Sequence, residues 1–163
     1  WCTEARLDEA ALASLRHGGT VSVTTFIVAF CVAGVLLTLA LLHVYWAVGG
    51  TAGVAAAVPM RPGGAAVFTP GRAATGAVAV GLGLAAALVL GRAGVTPRVG
   101  PPPVYHWGTW VLGAVFALRT VGDFRYVGLF KRERRTRFSR LDTRVYTPLC
   151  AALAAAVFYL AAI

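Results

Sequence analysis

The chain has 163 residues, of which 58% are hydrophobic, and its formal net charge is +9. Soluble domains contain roughly 45 to 50% apolar residues, so this composition, with a mean hydropathy of +0.74, excludes an ordinary soluble domain. The length suits one small domain, because four membrane spans of about 20 residues each leave no room for a separate soluble core. The sequence therefore predicts an all-α, four-span transmembrane helix bundle.

The first twenty residues are set apart from the rest of this prediction. Leu7, Ala11, Leu12 and Leu15 share one face of a helix over residues 3–17, which indicates a short amphipathic helix. The alternative hypothesis is that residues 1–20 do not belong to the native product, with Val21 read from a GTG start codon. Either way, residues 21–163 are predicted to form a single four-helix domain.

The predicted spans cover about 21–48, 73–91, 105–130 and 145–163. Segment 49–72 and the prolines at 97 and 101–103 interrupt the apolar runs between them. Span two carries a face of small residues spaced four apart, which lets helices approach closely in lipid and permits a homodimer without requiring one. That face consists of Ala73, Ala77, Gly81 and Ala85.

Positive charge is concentrated between spans three and four. Segment 131–144 contains seven basic residues against Glu133 and Asp142, namely Lys131, Arg132, Arg134, Arg135, Arg137, Arg140 and Arg144. Basic residues beside a span favour the cytoplasmic side, so we predict a multi-pass protein of the inner, cytoplasmic membrane with both termini external. The same charge would attract anionic lipid headgroups of the bilayer. It does not indicate nucleic acid binding, which needs a basic soluble surface.

The cysteines and histidines predict no metal site. Cys2, Cys31 and Cys150 show neither a CxxC pair nor ligand spacing with the three histidines, so no disulfide framework and no cofactor is expected.

Ionisable residues inside the predicted spans mark a candidate site. Spans one and three run in the same direction, so their C-terminal ends meet at one membrane face, where span four begins. This places His43, Tyr45, Arg119, Asp123 and Tyr146 at one level, in a predicted polar pocket of the cytoplasmic half. Charge in lipid costs about 2.5 kcal/mol or more, so Arg119 is predicted to pair with Asp123 one helical turn away.

Several functions remain open for this cluster. The leading hypothesis is a non-enzymatic binding or structural protein, in which Arg119 clamps a small anionic or amphipathic ligand and Asp123 is the counter-charge. An equal alternative is that the pair is a structural clasp that fixes helix packing. The alternatives are a membrane enzyme that uses His43 and Asp123 as acid and base on a lipid-like substrate, and a small proton-coupled carrier.

Three strings carry a family resemblance: His43-Val44-Tyr45-Trp46-Ala47-Val48-Gly49-Gly50, Gly122-Asp123-Phe124-Arg125-Tyr126-Val127-Gly128 and Leu141-Asp142-Thr143-Arg144-Val145-Tyr146-Thr147-Pro148-Leu149-Cys150. Over roughly residues 26–163 the chain resembles an uncharacterised family of small four-helix bacterial integral membrane proteins, known as a domain of unknown function. The resemblance implies four spans and no particular reaction, substrate or cofactor.

Overall fold

The computed structural model describes residues 22–59, 61, 65–134 and 136–163. Residues 1–20, including the predicted amphipathic helix, lie outside the described residues. Within the described ranges the chain forms helices and no β-strand, so the predicted all-α class is confirmed. The helices are α1 (Val23–Ala47), α2 (Val54–Ala57), α3 (Arg72–Arg92), α4 (Pro102–Val121) and α5 (Arg137–Ala162).

Capping residues determine where the long helices begin. The Ser22 side chain accepts the Thr25 backbone N–H at 3.2 Å and starts α1. Helix α4 opens with two prolines, where the missing N–H groups cost little. Thr136 caps α5 in the same way as Ser22 caps α1, since its side chain accepts the Ser139 N–H at 3.1 Å.

Helix α5 is continuous but changes its winding near its start. Residues Arg137–Leu141 are α-helical, Asp142–Tyr146 form a π-helical turn, and Thr147–Ala162 return to α-helix. The Thr147 N–H bonds to the carbonyl of Asp142, five residues earlier. Such single π turns occur frequently at functional sites.

The four long helices pack around one apolar core. Helix α1 packs mainly against α3, and α4 packs mainly against α5. The core includes Leu36 of α1, Val89 of α3 and Val157 of α5, all fully buried. The small-residue face predicted to mediate close helix contact is largely exposed within the monomer, because α3 turns Ala79, Ala86 and Val89 inward instead.

Contacts between helix ends establish the up-and-down arrangement. The hydroxyls of Thr25 and Tyr159 lie 3.4 Å apart, so α1 and α5 are antiparallel. Arg92 donates to the carbonyl of Ala161 at 3.1 Å, which brings the C-terminal ends of α3 and α5 together. Segments 48–71 and 122–136 therefore lie at the same end of the bundle, which we call the basic end.

Three helices, α1, α3 and α5, are long and apolar enough to cross a membrane. They indicate a membrane protein. Helix α4 does not reach the same apolarity, because Pro102, Pro103, His106 and Arg119 dilute its apolar residues.

The observed helix bounds differ most from the prediction around segment 122–136. Helix α4 ends at Val121, not at about residue 130, because Gly122 adopts φ +88°, which a right-handed helix cannot contain. Helix α5 begins at Arg137, eight residues before the predicted start of span four. The predicted helical spacing of Arg119 and Asp123 is thus interrupted between the two residues.

Candidate functional site

A single buried carboxylate organises the basic end. Asp142 is 0% exposed, and its Oδ1 accepts a hydrogen bond from Arg119 Nη2 at 2.8 Å. Its Oδ2 accepts from Lys131 Nζ at 2.8 Å, and Lys131 is itself only 4% exposed. The backbone N–H of Gly128 and the hydroxyl of Thr147 also donate to Oδ2, at 2.9 and 3.1 Å. We call Asp142 with these four donors the Asp142 hub.

The π turn of α5 explains how Asp142 and Thr147 meet. In a π turn, residues five apart are joined by the backbone hydrogen bond and lie next to each other. The Thr147 hydroxyl therefore reaches the Asp142 carboxylate of its own helix. Arg119 from α4 and Lys131 from segment 122–136 complete the hub, so one carboxylate connects three parts of the chain.

The structure gives Arg119 a different partner from the predicted one. Its ion pair is with Asp142, and not with Asp123 as the sequence analysis predicts. The physical reason is the end of α4 at Val121, which removes Asp123 from the helical position one turn after Arg119. Asp142 and Lys131 are not among the predicted site residues, because the charges of segment 131–144 predict membrane topology. A signal was present, since Lys131 is the only lysine beside fourteen arginines.

Asp123 instead holds together the loop of residues 122–128. Its Oδ1 accepts the backbone N–H groups of Arg125, Tyr126 and Val127 at 2.9, 2.7 and 2.9 Å. Burial acts to raise the pKa of this carboxyl, but the backbone N–H groups outweigh it and keep the pKa below the ordinary value. The carboxylate charge is therefore directed at the backbone of its own loop.

Two glycines close the base of the 122–128 loop. Gly122 and Gly128 both have positive φ, +88° and +89°. A Cβ on Gly122 would strike the Val127 carbonyl, and a Cβ on Gly128 would strike the Val121 carbonyl. The pattern Gly-Asp-Phe-Arg-Tyr-Val-Gly thus describes a closed loop with an internal carboxylate cap. The Gly128 N–H joins this loop to the Asp142 hub.

Two open clefts flank the 122–128 loop and share two of its residues. The larger, of about 620 Å³, is lined by Asp123, Phe124, Arg125, Tyr126, Arg132 and Glu133. The second, of about 460 Å³, is lined by Arg61, Val67, Arg125 and Tyr126. A small cavity of about 80 Å³ lies beside the hub, lined by Gly128, Leu129, Lys131, Arg134, Thr143 and Thr147.

The other predicted site residues hold local structure. His43 Nδ1 lies 2.7 Å from the Leu39 carbonyl of its own helix, and no contact joins His43 to Asp123 among the described residues. The Tyr45 hydroxyl accepts the Ala52 N–H at 3.4 Å. Tyr146 donates to the Ala56 carbonyl at 3.2 Å. Whether His43, Tyr45, Arg119, Asp123 and Tyr146 bind a ligand stays a prediction.

Within the described ranges, no group of three or more His, Cys, Asp or Glu side chains is arranged to hold a metal ion.

The sequence matches the family described as Protein of unknown function (DUF3995) over residues 36–157. The chain belongs to this family. The DUF3995 match spans both the 122–128 loop and the Asp142 hub, and it confirms the predicted resemblance to a domain of unknown function. No curated protein and no solved structure matches the chain.

Proposed function

We propose that this protein is a non-enzymatic, four-span protein of the cytoplasmic membrane that binds an anionic amphiphile at its basic end. In this proposal the basic end faces the cytoplasm, and the bound molecule sits at the level of the lipid headgroups. Three apolar helices and the family description support the coarser conclusion of a membrane protein of unknown function.

The packing of α4 supports a fourth span. Helix α4 lies antiparallel to α5 and packs against it. Helix α5 is long and apolar enough to cross a membrane. The 20 residues of α4 extend about 30 Å at ~1.5 Å per residue, the thickness of the hydrocarbon layer. Arg119, the charge that lowers the apolarity of α4, lies in its last turn and forms an ion pair with Asp142.

The distribution of arginine side chains supports the orientation. Those exposed at the basic end are Arg61, Arg72, Arg125, Arg132, Arg134, Arg137, Arg140 and Arg144. At the opposite end, the described residues include only two arginines, Arg92 and Arg98. This asymmetry is typical of a cytoplasmic basic end.

One observation carries the binding proposal: among the described residues, neither Asp142 nor Asp123 pairs with an exposed arginine of the basic end. The buried carboxylate of Asp142 is fully engaged by Arg119 and Lys131, and Asp123 is engaged by backbone amides. Arg119 also keeps one buried nitrogen, Nη1, without a hydrogen-bond partner in the described part of the chain. A phosphate or carboxylate would satisfy such donors.

Native mass spectrometry of the protein in nanodiscs tests this function. Nanodiscs would contain phosphatidylglycerol and phosphatidylcholine in equal amounts, and the lipids retained on the released protein would be counted. We expect phosphatidylglycerol to be retained in excess. Equal retention of the two lipids would refute the binding proposal, and a change in the mass of the retained lipid during incubation would refute a non-enzymatic role.

A further inference from the structure

The 122–128 loop presents three consecutive side chains outward from a closed and rigid base. Phe124, Arg125 and Tyr126 lie between the two glycines whose backbones touch. Phe124 adopts φ +61°, which is uncommon for a residue other than glycine and costs of order 1 kcal/mol or more. Backbone in such a conformation persists where its surroundings determine it, and here the three N–H bonds to Asp123 do so.

Arg125 occupies the wall between the two clefts and lines both of them. Its guanidinium carbon lies 5.2 Å from the centre of the Tyr126 ring, which orients the side chain. Within the described ranges, no hydrogen bond or ion pair engages the guanidinium of Arg125, and the same holds for Arg132. Both groups are therefore available to a ligand in the larger cleft.

We infer that this larger cleft binds the phosphate of one anionic phospholipid, with Arg125 and Arg132 as its ligands and Phe124 against the glycerol and upper acyl chain. Arginine suits this role because its planar fork donates two parallel hydrogen bonds to phosphate. The inference rests on the proposed function and adds to it a defined site. This site differs from the general attraction of lipid by segment 131–144, since it is built on the 122–128 loop.

The apolar surroundings of the cleft favour a lipid over a soluble phosphate compound. Phe124 and Phe130 are 58% and 60% exposed, and their rings stack with centroids 6.1 Å apart. Leu129 between them is also exposed. These side chains follow directly after α4, where the chain leaves the bundle, and aromatic side chains are enriched at that level of the bilayer. The exposed rings of Phe124 and Phe130 near two arginines match the apolar and charged parts of a phospholipid.

Two acidic residues, Asp123 and Glu133, also line the larger cleft. Asp123 uses Oδ1 to accept three backbone N–H groups. Glu133 lies on the cleft wall, and its backbone N–H bonds to the Arg125 carbonyl at 2.9 Å. That bond joins the backbone next to Arg132 to the 122–128 loop.

The experiment compares two double variants with the same change in net charge. Arg125→Gln with Arg132→Gln removes the proposed phosphate ligands. Arg140→Gln with Arg144→Gln is the matched control, because both residues are exposed on α5 and line neither cleft. Phosphatidylglycerol retention would be measured by native mass spectrometry in nanodiscs that contain phosphatidylglycerol and phosphatidylcholine, after circular dichroism shows that both variants are folded.

We expect the cleft variant to lower phosphatidylglycerol retention roughly tenfold, because it loses one or two charge-assisted hydrogen bonds to the phosphate. We expect the control variant to lower retention less than about twofold. Equal losses in the two variants would overturn the cleft site and leave the proposed function standing. A wild-type protein without preference for phosphatidylglycerol would overturn the proposed function itself. The binding of inorganic phosphate and of glycerol 3-phosphate would also be measured, with wild-type protein in phosphatidylcholine nanodiscs. If either compound binds as tightly as phosphatidylglycerol, the conclusion that the ligand is a lipid would be overturned.

If Arg125→Gln with Arg132→Gln does not fold, a second variant replaces it. Arg125→Lys with Arg132→Lys keeps the charge and removes only the bidentate fork. We expect this variant to lose phosphatidylglycerol retention several-fold. Retention equal to that of the wild type would overturn the assignment of these two arginines.

Discussion

At the scale of single residues, the Asp142 carboxylate is shared by two cations that differ in burial. Lys131 is almost fully buried, whereas Arg119 remains partly exposed. A buried charge without a partner is costly, while an exposed one is solvated. The contribution of Asp142 to stability is therefore mainly to neutralise Lys131, and Arg119 adds the connection to α4.

The Asp142 hub gives a prediction about rescue. Asp142→Asn should destabilise the protein by about 3 to 5 kcal/mol, because it leaves Lys131 buried and unpaired. Lys131→Met should cost less, since Arg119 still pairs with Asp142. The double variant should be more stable than Asp142→Asn alone. Chemical unfolding in detergent, followed by circular dichroism, measures all three.

Asp123→Asn is the matched control for this series, because it removes the same charge from a residue outside the hub. We expect it to change stability much less than Asp142→Asn. The assignment of the ion pair would be wrong if Lys131→Met failed to rescue Asp142→Asn, or if Asp123→Asn proved the more damaging single change.

The glycines that close the 122–128 loop give a second prediction. Gly122→Ala should lower the free energy of unfolding by more than about 1 kcal/mol, because alanine tolerates positive φ poorly and its Cβ meets the Val127 carbonyl. Gly81→Ala is the control, since Gly81 lies within α3 with open space around it. There the change should be neutral or slightly stabilising, as alanine favours a helix. Similar losses at both positions would contradict the closed loop.

The lowered pKa of Asp123 gives a prediction about pH. A carboxyl whose pKa is lower in the folded state stabilises the fold fully above its unfolded value, here about 3.8, and loses that effect as the pH falls through the folded value. The amide NMR signals of Arg125, Tyr126 and Val127 should shift together with a midpoint below 3.8. Asp123→Asn should abolish the shift. A midpoint above 3.8 would show that burial outweighs the backbone hydrogen bonds.

At the scale of helices, apolar length predicted most of the fold and local turns determined the rest. The predicted spans at about 21–48 and 73–91 lie close to α1 and α3, since long apolar runs give a strong signal. The end of α4 was missed because Arg119 and Asp123 have the spacing of a helical ion pair. Gly122 argues against a continuous helix through Asp123. Its positive φ goes with a close contact to Gly128, which the spacing of residues in the sequence does not reveal.

The start of α5 was missed for a related reason. Charged residues before 145 were read as a loop, yet the Thr136 cap and the π turn continue the helix back to Arg137. The π turn accommodates Asp142 between Arg119, Lys131 and Thr147, contacts that exist only after the chain has folded. The level of the candidate site could thus be predicted from sequence, but its principal carboxylate could not.

The proposed fourth span gives a prediction at this scale. With all three cysteines replaced by alanine, single cysteines would be placed by Val99→Cys before α4 and by Arg134→Cys in the segment between α4 and α5. Both positions are exposed, Val99 at 88%. In intact cells a membrane-impermeant maleimide should label Val99→Cys, and it should label Arg134→Cys only after the membrane is permeabilised. Equal labelling of both in intact cells would show that α4 does not cross.

At the scale of the whole molecule, the exposed arginines and the open clefts are concentrated at the same end of the bundle. The bundle has one end with many exposed arginines, two open clefts and a buried carboxylate hub, and an opposite end where Arg92 and Arg98 bond to backbone carbonyls. Carbonyl oxygens near a helix C-terminus favour such cations, although Arg92 Nε has no hydrogen-bond partner among the described residues. The exposed arginines of the described residues are concentrated at the end with the candidate lipid site.

This polarity predicts how the protein inserts and how insertion can be reversed. A reporter fused after Ile163 should be active as periplasmic alkaline phosphatase and dark as green fluorescent protein, because the C-terminus lies opposite the basic end. Neutralising Arg134, Arg137, Arg140 and Arg144 to glutamine while adding lysine at Thr96 and Val99 should shift part of the population to the opposite orientation, since the balance of basic residues between the flanks orients small multi-span proteins. The glutamine changes without the added lysines are the control and should shift fewer molecules. A wild-type C-terminus in the cytoplasm would contradict the orientation, and with it the placement of the phosphate-binding cleft in the inner leaflet.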